Sequence, residues 1–269
     1  MTQLDGVTTH PADPGAAPRR TGALASFAAA LRSRPLTAWA VYFEILAVLA
    51  RAAKAVWPDL LAGADGLSLR QVLVQALLTL LPLPAAAALG WHLIGLRRPH
   101  SLRLALFPAA TVAFGYLAPV EPQALTAAAL AVLLVVLVAL GEEIAFRGVL
   151  LHLLAPRGTA AAVALSSLLF GLTHTVNLLL GAPPAGVALQ VFFAGTGAAG
   201  LAALRLRTGS LWPGIALHAA YDLAFRVMDL DASTWHGKLY YTLHGLGWLV
   251  FAVILLRPGA RGRRSVQPA

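Results

Sequence analysis

Leu140-Gly-Glu-Glu-Ile-Ala-Phe-Arg-Gly148 closes a run from Ala124 to Leu140 in which Thr126 is the only polar side chain. Two glutamates and an arginine thus appear where the apolar helical pattern has not yet stopped. Ionisable groups at membrane depth are costly, so they face the bundle interior, find partners and mark function. On an α-helix Glu143 and Arg147 stand i,i+4 and can pair. Glu142 is turned about 100° away and falls outside that face. The spacing separates the carboxylates: Glu143 is neutralised by Arg147, and Glu142 is free to address a neighbouring helix. A buried ion pair plus a spare glutamate facing water is the structural alternative. It leaves one negative charge over, since two carboxylates meet one guanidinium.

The rest of the 269-residue chain fits a membrane setting, being 59% hydrophobic and only 12% charged. The apolar runs are too many and too long for one soluble core. With no cysteine, disulfides, thiolate zinc sites and a cysteine nucleophile are excluded. The net charge of +9 resembles a nucleic-acid signal, but the arginines cluster in short segments between apolar runs and in the tails. That placement suits a positive-inside membrane protein, and it can hold anionic lipid headgroups. Membrane lipid is therefore an expected partner and nucleic acid is not.

The pattern predicts an all-α bundle of about eight transmembrane helices, near 36–56, 70–95, 104–120, 123–154, 159–180, 186–204, 209–227 and 239–256. The fourth is overlong and is expected to tilt or project. Residues 1–34 read as a disordered or interfacial tail, with Ala23–Leu31 as a short interfacial helix between basic pairs. Arg19-Arg20 superficially suggests a twin-arginine signal, but the following apolar stretch is poor and no cleavage is expected. Residues 35–256 form the polytopic domain and 257–269 a basic cytoplasmic tail. Placing the N-terminus inside puts fourteen Lys and Arg on the inner side and five on the outer. Both termini are therefore expected in the cytoplasm of a multi-pass inner or plasma membrane protein.

Two further polar groups interrupt apolar spans. Phe170-Gly-Leu-Thr-His174 places Phe170 and His174 i,i+4, with Asn177 on roughly the same side. His218-Ala-Ala-Tyr-Asp222 repeats that spacing, letting Asp222 orient or charge-balance the imidazole. Each read alone is an interhelical packing device. Counted from the inner span ends, Glu142, His174 and His218 lie about 18, 22 and 14 Å deep at about 1.5 Å per residue. One shared site is geometrically open to them.

Glu142-Glu143-x-x-x-Arg147, Phe170-x-x-x-His174 and His218-x-x-x-Asp222, in that order on separate apolar spans, resemble the three motifs of the CPBP intramembrane proteases. That group includes the CaaX prenyl endopeptidase and bacterial relatives linked to bacteriocin processing and immunity. Gly209-Ser-Leu-Trp-Pro, ahead of His218, resembles it too, and the motif core covers about 125–225. The resemblance implies hydrolysis of a peptide bond in a membrane-associated peptide or protein. Carried over, Glu142 is the general base on water and His174 helps hold that water. His218 and Asp222 stabilise the oxyanion or fix the geometry, while Glu143 and Arg147 hold the motif helix. Phe170 and Asn177 give structural support.

The residue types suit this chemistry. A partly desolvated carboxylate is a stronger base, and oxyanion stabilisation in a low-dielectric cavity contributes much to catalysis. An ionised Asp222 cannot donate to an oxyanion, so it orients His218 or joins a metal shell. Glu142, His174 and His218 together offer a zinc-like ligand set with an open position, so zinc or another divalent metal is one expected cofactor. A metal-free, glutamate-activated water is the other option. Two non-protease readings stand beside these: a membrane immunity or partner-binding protein of the same fold, and a proton-coupled transporter using the same residues as a relay. Gly195-Thr-Gly-Ala-Ala-Gly200 fits GxGxxG without a βαβ context, and reads as a close helix crossing. Tyrosines and tryptophans read as an interfacial belt, and His244 as structural.

Overall fold

The computed structural model describes residues 22–57, 69–120, 128–230 and 234–257. Most of the expected tails, 1–21 and 258–269, lies outside the described residues, as do the segments 58–68, 121–127 and 231–233. Nine helices carry the fold: α1 (Ala23–Ser33), α2 (Pro35–Val56), α3 (Leu69–Leu89), α4 (Arg103–Gly115), α5 (Ala128–Arg157), α6 (Thr159–Leu178), α7 (Pro184–Thr208), α8 (Trp212–Val227) and α9 (Trp235–Leu256). No strand forms among the described residues, and Val120 and Met228 make one isolated bridge. The protein is an all-α membrane protein.

Six of the eight expected spans, α2, α3, α5, α6, α7 and α9, are long and apolar enough to cross a bilayer. The other two form helices that stop short. The one expected over 104–120 ends at Gly115, and α8 has 16 residues, about 24 Å. The span expected over 70–95 breaks at Gly90, whose φ of +109° an L side chain resists. A short turn, Trp91–Ile94, follows it. The 30 residues of α5 reach about 45 Å, well beyond a hydrocarbon core of about 30 Å. Prolines in the first turns of α2, α7 and α8 set their starts, where a missing N–H costs nothing.

The central helix α5 packs against α3 and α8, while α7 packs against α6 and α9. These contacts rest on small residues. Gly141 brings α5 against Thr79 of α3, whose hydroxyl donates to the Leu137 carbonyl at 2.9 Å. On α7, a Cβ at Gly197 would stand 2.7 Å from Nε2 of His244, and one at Gly200 would stand 3.0 Å from Trp248. The GxGxxG run is thus a helix-crossing surface, as a membrane reading requires. Leu73, Leu77 and Leu80 on α3 and Val250, Val253 and Ile254 on α9 remain exposed, as side chains bathed in lipid would be.

Candidate active site

The motif helix is not uniform. It runs as α-helix to Glu142 and continues from Glu143 to Leu150 as a π-helix. Such wide turns are rare and gather at functional sites. All eight of these residues are buried. Gly214 of α8 opposes this turn, and a Cβ there would stand 3.1 Å from Glu143 Oε2. Two helices thereby approach closely enough for their polar groups to meet.

Arg147 Nη1 lies 3.1 Å from Glu143 Oε1, confirming the expected i,i+4 pair in a setting where both side chains are almost fully buried. The same Oε1 also meets His218 Nδ1 at 2.9 Å. Since a carboxylate accepts, Nδ1 carries the hydrogen and Nε2 points elsewhere. His218 Nε2 stands 3.6 Å from Glu142 Oε2 and 3.6 Å from Asp222 Oδ2. Adjacent glutamates thus address opposite nitrogens of one imidazole. This differs from the expectation that Glu142 and Glu143 serve unrelated faces, because the imidazole spans the gap beside the widened turn. The orienting contact expected from Asp222 is made by Glu143.

Phe170 of α6 joins the parts. Its ring receives the Arg147 guanidinium at 4.1 Å and meets Phe146 edge-on at 4.9 Å. The rings of His174 and His218 stand edge-on to it at 4.9 and 6.2 Å. His174 Nδ1 lies 3.1 Å from the Phe170 carbonyl, which can only accept, so Nε2 is the remaining polar atom of that ring. Asn177 donates to Gln190 of α7 at 2.8 Å and thereby ties the end of α6 to α7.

These groups share one cavity of about 1130 Å³, which Glu142, Arg147, Phe170, His174, His218 and Asp222 all line. The side chains of Glu142 and Asp222 are each 28% exposed to it, whereas Glu143 is 1% exposed. On the opposite wall, Tyr42, Leu46, Leu49, Ala50 and Ala53 present one face of α2, and Val74 and Leu78 come from α3. Tyr42 lies within electrostatic reach of Glu142 and was not singled out by the sequence. A lone tyrosine in an apolar span carries no spacing signal, so it reads as part of the interfacial belt.

A shared metal ion would need at least three ligands at about 2.0–2.2 Å. The separation of Glu142 and His218 suits two such ligands. Among the described residues, however, no three His, Asp or Glu side chains converge as a metal-holding group. His174, with Nδ1 directed at a backbone carbonyl, keeps Nε2 open as a ligand atom. As arranged, however, Glu142, His174 and His218 do not gather into a metal-holding group.

Apolar helices long enough to span a bilayer, with a buried constellation of carboxylates and imidazoles among them, mark a multi-pass membrane protein. Residues 124–224 are matched by the family model described as Type II CAAX prenyl endopeptidase Rce1-like. Neither a curated protein nor a solved structure matches the chain. The matched segment contains all three motifs.

Proposed function

We propose that the protein hydrolyses a peptide bond of a membrane-associated peptide with a water activated by Glu142. The observation that carries this reading is the single imidazole of His218 held between Glu143 and the exposed carboxylate of Glu142. Glu142 accepts a proton from water as its oxygen attacks the carbonyl carbon. His174, through Nε2, helps hold that water. With Nδ1–H committed to Glu143, a proton on Nε2 of His218 makes that atom the donor facing the developing oxyanion. Collapse of the tetrahedral intermediate breaks the C–N bond, and the proton held by Glu142 passes to the leaving amine. Asp222 balances the charge beside Nε2.

The apolar α2 wall supports a substrate that reaches the cavity from lipid, with α2 and α3 as its flanks. The arginine distribution supports a plasma or inner membrane location with both termini in the cytoplasm. Purified protein in proteoliposomes, presented with a membrane-anchored peptide, tests the assignment. Glu142→Gln should lower turnover by about 10²–10⁴-fold while leaving thermal stability close to wild type, since this side chain is partly exposed. Unchanged turnover in that variant would remove Glu142 as the base.

A further inference from the structure

At the end of the bundle opposite Arg226 and Lys238, two arginines are fixed side by side with no acid to neutralise them among the described residues. Arg205, near the end of α7, donates from Nε to the Ile94 carbonyl and from Nη2 to the Leu93 carbonyl, both at 3.1 Å. Arg97 donates from Nε to the Gly209 carbonyl at 2.8 Å. The two loops interlock, because Leu211 N–H donates to Gly95 O and Ser210 Oγ donates to Arg97 O. Gly95 has φ +99°, and a Cβ there would collide with the Arg205 guanidinium. The loop is shaped around that side chain.

Carbonyl contacts orient these guanidiniums without cancelling their charge. No acidic side chain among the described residues pairs with Arg97 or Arg205. Arg32 and His152 also lie within electrostatic reach of each other, and His152 lies within reach of Arg205. Holding like charges close together is unfavourable unless an anion joins them. Each guanidinium has five N–H donors, and most of those on Arg97 and Arg205 are not used by these carbonyl contacts. Paired planar forks suit a tetrahedral oxyanion with several acceptor oxygens. Exposed Trp91 and Trp212 adjoin these loops, which fits a depth at the headgroups.

We propose that Arg97 and Arg205 form a receptor for a phosphate group, carried by an anionic phospholipid headgroup, at this end of the bundle. The site is separate from the peptidase cavity and does not depend on the peptidase reading. The full-length protein in neutral detergent should bind short-chain phosphatidylglycerol saturably, and phosphatidylcholine about tenfold more weakly or less. R97Q/R205Q should weaken phosphatidylglycerol binding by about tenfold or more, since it removes both of the guanidinium forks that would hold the phosphate. R34Q/R157Q removes two exposed arginines elsewhere and should change binding by less than about threefold. If the double variant fails to fold, R97Q alone carries the test, because Arg97 is exposed and Arg205 keeps its carbonyl contacts. Competition by inorganic phosphate, but not by chloride at equal ionic strength, supports the phosphate site with a soluble source. Wild-type affinity in R97Q and R97Q/R205Q, or an equal loss in R34Q/R157Q, would overturn it.

Discussion

Glu143 Oε1 accepts from His218 Nδ1 at 2.9 Å while the same oxygen pairs with Arg147 at 3.1 Å. One buried atom therefore fixes both the motif helix and the imidazole of a helix 75 residues away in sequence. Removing it strands a buried guanidinium, and breaking such a pair typically costs about 3–5 kcal/mol. Glu143→Ala should lower Tm sharply and abolish turnover. Glu143→Gln keeps an acceptor for Nδ1–H, so it should lose less stability than Ala while still impairing turnover. A thermal melt in detergent beside a cleavage assay checks the order: wild type, then Gln, then Ala.

Arg147→Lys separates charge from shape. Lysine keeps the cation beside Glu143 but loses the planar face that lies on Phe170 at 4.1 Å. A desolvated cation–π contact contributes about 2 kcal/mol or more, and arginine stacks better than lysine. Arg147→Lys should therefore lower Tm measurably and reduce turnover without eliminating it. A melt indistinguishable from wild type would show that Phe170 braces the site through other contacts.

Much of this constellation was readable in the sequence because its partners stand at helical spacing. Glu143 with Arg147, Phe170 with His174 and His218 with Asp222 are each i,i+4, and an apolar background makes them visible. The contacts that join the helices were not readable. Nothing in the spacing says that Glu143 reaches His218 as well as Arg147, because that depends on a π-helical turn and on the close approach at Gly214. The small-residue run Gly195–Gly200 did announce a close crossing, but not that Trp248 and His244 would be its partners. Span lengths were less legible, since the helix over Arg103–Gly115 and the 16-residue α8 stop where hydropathy alone would continue them.

Asp222 makes a distinguishable prediction. Its Oδ2 stands 3.6 Å from His218 Nε2, too far for a strong hydrogen bond, and its side chain is partly exposed. Asn at this position keeps the shape and adds an N–H donor toward the cavity. Asp222→Asn should hold kcat within about tenfold of wild type, whereas Asp222→Ala, which removes all polar function beside His218 Nε2, should lose more. Single-turnover rates at one fixed pH separate the two.

Metal removal tests the donor geometry. Because no three His, Asp or Glu side chains among the described residues form a group that could hold a metal ion, turnover should survive dialysis against EDTA and 1,10-phenanthroline. Full loss on chelation with recovery on adding back zinc would show that the side chains regroup around an ion.

Packing next to the site should matter as much as its polar groups. A Cβ at Gly171 would stand 2.6 Å from the Val191 carbonyl and 3.3 Å from the Gly195 backbone nitrogen, so α6 and α7 touch backbone to backbone there. No side-chain rotation relieves that contact, and Gly171→Ala must push the helices apart. Overpacking of this kind typically costs about 1–3 kcal/mol. Gly171 lies one residue from Phe170 and three from His174, so the shift should carry both rings away from Arg147 and His218. Gly171→Ala is expected to lower Tm and turnover together. Gly186→Ala, whose nearest neighbour would be Pro183 at 3.6 Å, should leave both close to wild type. Measuring the two variants side by side isolates helix approach from the loss of glycine itself.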